Sequence, residues 1–222
     1  MQQEISRVTR PREAARKSYN RISRWYNLLS DRFERRPRDM GVHQLAVGDG
    51  ETALEIGFGT GYSILAMARS TGLKGNVYGI DISDRMLQIT RSRVRKAGLS
   101  EIVLLERGDA VQLPFRENFF DAIFMSFTLE LFDTPDIPIV LGECHKILRN
   151  GGRICVVAMS KKGQASKALS LYEWAHRKYP RFCDCRPIFA QTALEEAGFH
   201  ITHILDMRMW GLPIEIVSAT KA

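Results

Sequence analysis

The stretch that most limits what this chain can fold into is Thr52-Ala53-Leu54-Glu55-Ile56-Gly57-Phe58-Gly59-Thr60-Gly61. Ala53, Leu54 and Ile56 make the apolar run of a buried parallel strand. Three glycines follow in G-x-G-x-G spacing, and Tyr62 to Arg69 reads as a helix. A strand that ends on glycines and restarts as a helix offers bare backbone N–H groups to a ligand at the helix N-terminus. Further on, Val77-Tyr78-Gly79-Ile80-Asp81 is a second apolar run that ends on a carboxylate. In nucleotide-binding α/β folds an acidic residue at that place accepts from ribose hydroxyls. A tight turn with incidental glycines is the competing reading, and the position of Asp81 counts against it.

The rest of the chain continues the alternation. Ser83 caps a helix that keeps Met86, Ile89 or Thr90, Val94 and Ala97 inward and stops at Gly98. Ile102 to Leu105 is a third strand, and Phe119 to Met125 a fourth, apolar on both parities and so buried on both faces. A helix starts at Asp136 and Pro138 and runs to about Leu148. Arg149-Asn150-Gly151-Gly152 turns into a fifth strand from Arg153 to Met159. Beyond a basic, aromatic stretch, Thr192 to Ala197 is helical, and His200 to Met207 and Ile214 to Ala219 close as strands. Ahead of the first strand, Tyr19, Ile22, Tyr26 and Leu29 fall at helical spacing with Trp25 beside them. Pro37 is expected to stop that segment, and Met40 to Val47 to form a short separate helix.

The expected architecture is therefore α/β: a Rossmann-like, doubly wound, seven-stranded sheet. It is mostly parallel with a C-terminal antiparallel strand, plus an N-terminal helical lid. A single domain covers residues 1–222, with a lid segment at 1–47 and a substrate-side insert at 160–190. Its length suits one core. No apolar run reaches the roughly 20 residues of a membrane span. No signal peptide is visible, so a cytoplasmic place is expected. Cys144, Cys155, Cys183 and Cys185 show no C-x-x-C pair and read as reduced thiols; no metal site is expected.

Charge is uneven. The net charge is +7, and residues 1–40 hold eleven Arg and Lys against five Asp and Glu. That segment suits an anionic surface or substrate, and equally a solvated helix face. A peripheral contact with an anionic membrane through the basic N-terminal helix is one expectation.

Four stretches carry a family resemblance: Leu54 to Gly61, Gly79-Ile80-Asp81-Ile82-Ser83, Gly108-Asp109-Ala110 with Leu113-Pro114-Phe115, and Leu148 to Gly152. From about residue 50 onward the chain resembles the class I S-adenosylmethionine-dependent methyltransferases. Within them it is most similar to the ubiquinone and menaquinone C-methyltransferase group. The resemblance implies S-adenosyl-L-methionine as cofactor. It implies that Gly57, Gly59 and Gly61 admit its methionine part and that Glu55 reaches its ammonium. Asp81 would hold the ribose diol, Ile82 would lie on adenine, and Asp109 with the Ala110 N–H would meet the adenine edge. Ser126 would sit beside the carboxyl end. Phe58 departs from the small residue common at its place, and would either narrow the methionine pocket or pack under the loop.

For the acceptor, the sequence suggests a small aromatic or apolar molecule such as a quinol or phenol, lined by Tyr19, Trp25, Tyr26, Phe127 and Tyr172. His176 is the candidate base, with a surface role as its competing reading. A phospholipid headgroup or other small amine is the alternative acceptor. A nucleic-acid substrate is disfavoured because Ser126-Phe127-Thr128-Leu129 lacks the proline pair of base-amine enzymes. A nicotinamide dehydrogenase fits neither the glycine spacing nor Glu55. The intact glycine loop and all three carboxylates count against a non-catalytic cofactor-binding or scaffold protein.

Overall fold

The computed structural model describes residues 5, 7, 34–162 and 185–222. Helix α1 covers residues 34–45. Then come β1 (Thr52–Ile56), α2 (Tyr62–Thr71), β2 (Asn76–Asp81), α3 (Asp84–Lys96), β3 (Val103–Arg107) and β4 (Phe120–Ser126). They are followed by α4 (Ile137–Ile147), β5 (Leu148–Met159), α5 (Ala190–Glu196), β6 (Phe199–Met209) and β7 (Leu212–Lys221). The strands form one sheet in the order β3-β2-β1-β4-β5-β7-β6. All adjacent pairs are parallel except those made by β7, which runs antiparallel to β5 and to β6. The expected seven-stranded, mostly parallel sheet is the one observed.

Strand periodicity splits the core in two. Leu54 and Ile56, Ile123 and Met125, and Ile154, Val156 and Ala158 face one side, under α4 and α5. Ala53, Ala122 and Phe124, and Cys155 and Val157 face the other, under α1, α2 and α3. Side chains alternate across a strand, so a strand covered on both faces must be apolar at every position. Cys144 and Cys155 are buried thiols within these cores. Among the described residues no cluster of potential metal ligands occurs, and no helix is long and apolar enough to cross a membrane.

Several boundaries differ from the sequence reading, and the separate helix expected from Met40 to Val47 is instead the latter part of α1, which ends at residue 45. Pro37 does not end the first segment: it lies inside α1, buried, in the first described turn. The fixed φ of proline is compatible with helical backbone, so the residue is carried within the helix. The Arg149–Gly152 turn is a break in strand register within β5, where Leu148 pairs with Phe120 and Arg153 with Ala122. Strand β6 extends two residues beyond Met207 and carries a bulge between Ile201 and His203.

Helix α1 matters because it bears on the site. Arg153 holds its end: Nε donates to the Leu45 carbonyl at 2.6 Å and Nη2 to the Ala46 carbonyl at 2.7 Å. The same guanidinium reaches Glu51 at 2.6 Å and keeps that carboxyl below the usual range. Carbonyls orphaned at a helix C-terminus thereby gain a cationic donor. Gly41 lets the helix approach the sheet, since a Cβ there would stand 2.5 Å from Val157 Cγ2 and 3.0 Å from Phe124 Cε2. Gly41→Val is expected to lower unfolding free energy in urea titrations by about 2 kcal/mol through overpacking. Gly142→Ala on the exposed face of α4, where nothing lies within 4 Å, should raise it by about 0.5–1 kcal/mol.

Candidate active site

Strand β1 has β2 on one side and β4 on the other, and the chain leaves it in opposite directions to reach them. Ligands of open α/β sheets bind at such a reversal, beyond the carboxyl ends of the strands. A narrow cavity of about 70 Å³ lies there, lined by Glu34, Arg38, Glu55, Gly57, Phe58, Gly59, Thr60, Tyr62, Ser63, Met86 and Ser126.

The three glycines all take positive φ, and each faces something different. A side chain on Gly57 would run into Thr128, and one on Gly61 into Thr90. At Gly59 a Cβ would meet nothing within 4 Å. The outer two glycines thus let the loop pack on its neighbours, while the middle one leaves open space for a ligand. Phe58 is buried in the core and lies against Gly79, where a Cβ would come within 2.7 Å of its ring. It packs under the loop and also borders the cavity.

Asp81 ties the loop down. Its Oδ2 accepts from the Gly59 N–H at 2.9 Å and its Oδ1 from the Ser83 N–H at 2.8 Å. Burial raises this carboxyl to about 6, and those two N–H donors pull it back. Thr90 adds a hydroxyl donated to the Gly59 carbonyl at 2.8 Å. The Gly108 N–H donates to the Asp81 carbonyl at 3.0 Å, which brings Asp109 and Ala110 alongside the end of β2. Asp109 Oδ1 accepts from the Val111 N–H at 3.2 Å, and Ala110 is buried. Ile82 is half-buried next to Asp81.

Glu55 is the chemically exposed point of the cavity. Only 3% of its surface is accessible, and its Oε2 has no hydrogen-bond partner. Burial lifts its carboxyl to about 8; Ser63 and the Ile64 N–H lower it somewhat, as does Arg38 by charge. The Ser63 hydroxyl lies outside hydrogen-bond geometry and is itself unsatisfied. A buried carboxyl left this way is costly unless a ligand completes it. Arg38 supplies the opposite sign, with its side chain 12% exposed. Its guanidinium stacks 4.7 Å from the Tyr62 ring centre, and Arg93 stacks on the same ring at 4.1 Å.

The structure therefore brings together Glu55, Gly57, Phe58, Gly59 and Ser126 around one cavity, with Gly61 and Asp81 holding its loop. Ile82, Asp109 and Ala110 lie on the adjoining strand ends and not in the cavity wall. Phe127 is buried in the core, at a φ of 50°, among the residues facing α1. Tyr19, Trp25, Tyr26, Tyr172 and His176 lie outside the described residues. Arg38, Glu34, Ser63 and Tyr62 were not anticipated. Tyr62 and Ser63 open the helix after the glycine loop, a place that could have flagged them. Nothing in sequence separates Arg38 from Arg35 and Arg36.

A second buried acid, Glu130, follows β4 in the chain. Glu130 is wholly inaccessible; its Oε1 accepts from the Met159 N–H at 3.1 Å, and burial raises its carboxyl to about 8. Arg186, also inaccessible, donates to the Phe132 carbonyl at 2.5 Å and to Thr134 Oγ1 at 3.1 Å.

Residues 53–152 match a family model described as a methyltransferase domain. A demethylmenaquinone methyltransferase of Geobacillus kaustophilus is 33% identical over 151 residues, 68% of this chain and 62% of that protein. A 2-phytyl-1,4-naphtoquinone methyltransferase of Nostoc punctiforme is 33% identical over 143 residues, 63% of this chain and 61% of that protein. The chain thus spans less than two thirds of either relative's length. Among solved structures, a SAM dependent methyltransferase from Aquifex aeolicus superposes with a TM-score of 0.63 at 21% identity, covering 83% of this chain and 89% of that one.

A buried carboxyl with one oxygen left without a hydrogen bond, beside a guanidinium, suits an ammonium and carboxylate pair such as the methionine end of S-adenosylmethionine. Glu55, raised to about 8, holds its proton at neutral pH. An arriving ammonium favours the ionised form. Binding of S-adenosylhomocysteine at pH 7 is therefore expected to release up to one proton, seen by calorimetry in buffers of different ionisation enthalpy. Affinity should rise with pH by up to about tenfold per unit below 8 and flatten above. Glu55→Gln should abolish both effects; a wild type without proton release would refute the assignment. Motif, strand order and relatives agree on the class I S-adenosylmethionine-dependent methyltransferases as the family this chain is similar to, with residues 53–152 as the matched methyltransferase domain.

Proposed function

We propose that this protein transfers a methyl group from S-adenosyl-L-methionine to a small, flat, apolar acceptor of the quinol or phenol type. The observation that carries the reading is the buried, unpartnered Glu55 Oε2 facing a cavity with Gly59 at its open side and Arg38 across it. Relatives named for naphthoquinone-type methyltransferases support the acceptor class.

The bound cofactor would supply an already activated methyl on a sulfonium. The chain's own residues then have three tasks. Glu55 accepts the ammonium, and Arg38 balances the carboxylate. Each Asp81 oxygen keeps a lone pair for the ribose diol after accepting its backbone N–H. Asp109 and the Ala110 N–H meet the adenine edge. The work left is alignment and exclusion of water, which suits a site with little acid–base equipment. None of His43, His145, His200 or His203 borders the cavity. The segment at 1–33, with Tyr19, Trp25 and Tyr26, would cover the acceptor, and Tyr172 and His176 would join from the insert.

Incubation with methyl-labelled cofactor is expected to label a reduced demethylnaphthoquinone and to leave ethanolamine headgroup lipids and RNA unlabelled. Labelled headgroup lipid with an unlabelled quinol would favour the amine reading instead. Gly59→Val should weaken S-adenosylhomocysteine by about 100-fold or more, because a branched side chain at positive φ is strained and fills the ligand space. Gly151→Ala, equally at positive φ with open space around it, should leave that affinity unchanged. Cofactor affinity surviving in a folded Gly59→Val protein would contradict the loop's role.

A further inference from the structure

The turn between β6 and β7 is made by Trp210 and Gly211, both at positive φ, 57° and 79°. Met209 pairs with Leu212 across it, so the loop has two residues. Such turns call for Asn, Asp or Gly at their first position. A bulky aromatic residue is a conformational outlier there. Trp210 is also 75% exposed. The position thus carries backbone strain, and most of an indole remains in water. Strain of this kind persists where the displayed side chain serves a function.

The turn's place in the sheet is informative. Met159 at the end of β5 pairs with Ile214, which also pairs with Met207. Val157 in β5 pairs with Ser126, whose side chain borders the cofactor cavity. Trp210 therefore projects beyond the same sheet edge at which the cavity opens. Around it stand half-buried Met209 and Leu212 and exposed Arg208. Exposed Arg35 and Arg36 at the start of α1 line a neighbouring groove of about 610 Å³ with Met40, His43, His203 and Leu205. Asp39 sits in that groove and pairs with Arg35 at 3.4 Å. The chain's net charge is +7.

We infer that the β6–β7 turn is a membrane-contact wedge, with Trp210 seated at the headgroup level of an anionic lipid surface and Arg208, Arg35 and Arg36 facing its phosphates. Tryptophan suits that level because its ring is apolar and its N–H polar. Basic residues close by add an electrostatic attraction that salt weakens. Among the described residues no helix can cross a membrane, so contact through them is peripheral. The inference leans on the proposed quinol-type acceptor for its purpose, since such a molecule dissolves in the bilayer facing this edge. The lipid contact itself is measured without turnover.

The test is co-sedimentation of the full chain with phosphatidylcholine vesicles, with and without phosphatidylglycerol, at low and high salt. The wild type should bind the phosphatidylglycerol vesicles, less so at high salt. Trp210→Asn removes the ring and suits positive φ, so it should cut vesicle partitioning at least about fivefold. Its melting temperature should hold or rise, and its S-adenosylhomocysteine affinity should not change. Arg208→Glu should likewise weaken partitioning. Indifference of the wild type to phosphatidylglycerol, or equal partitioning by Trp210→Asn, would overturn the inference. A lowered melting temperature in Trp210→Asn would also overturn it, because the ring would then be holding the hairpin. So would a change confined to self-association, which would assign the turn to a second copy of the chain. A wild type that binds vesicles but no S-adenosylhomocysteine would remove the methyltransferase reading and leave the lipid contact standing.

Discussion

One carboxylate organises the nucleotide edge of this molecule. Asp81 accepts from the Gly59 N–H with one oxygen and from the Ser83 N–H with the other. The first bond fixes the middle of the glycine loop, and the second fixes the residue that caps α3. Ser83 in turn accepts from the Met86 N–H at 3.2 Å. The glycine loop, 22 residues back in the chain, and the adjoining start of α3 are thereby locked to the end of β2. The cost is a desolvated acid, which is why its carboxyl sits near 6 instead of the ordinary range. A residue expected to serve the ligand alone also shapes the loop that receives it.

Charge in the cavity follows the same logic. Glu55 and Arg38 approach a common space from opposite sides of the first strand connection, one on β1 and one on α1. Glu55 keeps one carboxyl oxygen without a hydrogen bond, Arg38 pairs with Asp39 and stacks on Tyr62, and a zwitterionic ligand has a group of opposite sign for each. Arg38 depends on the seat of α1, hence on Gly41 against Val157 and on Arg153 at the helix end. A glycine three residues from Arg38 and an arginine at the other end of the helix thus determine where the cavity's positive charge stands.

Much of this was legible in the sequence because strand burial and glycine spacing are local signals. The doubly buried strands announced the parallel sheet, and the loop with Asp81 announced the site. Pro37 misled because the fixed φ of proline is itself helical, so the residue alone does not mark where a helix ends. Arg38 was invisible because one basic residue in a basic helix looks like the next until packing selects it. Phe127 was expected to line the acceptor site, yet the chain turns there at positive φ and the side chain lies in the core. The distinct reasons for Gly57, Gly59 and Gly61 needed the positions of Thr128 and Thr90, which are contacts between distant parts of the chain.

The placement of β7 has a consequence for how the molecule assembles. Strand β7 lies between β5 and β6, so β6 precedes it in the chain yet reaches the sheet only through it. Until β7 arrives, β5 presents an open edge of Ile154 to Met159 with no partner on that side. An apolar strand with unpaired backbone groups is a template for joining other chains. The half of the sheet that carries the glycine loop can pair before that slot is filled, so the vulnerable interval falls late in folding. A nascent chain stalled before β7 would hold much of its nucleotide edge and still be sticky along β5.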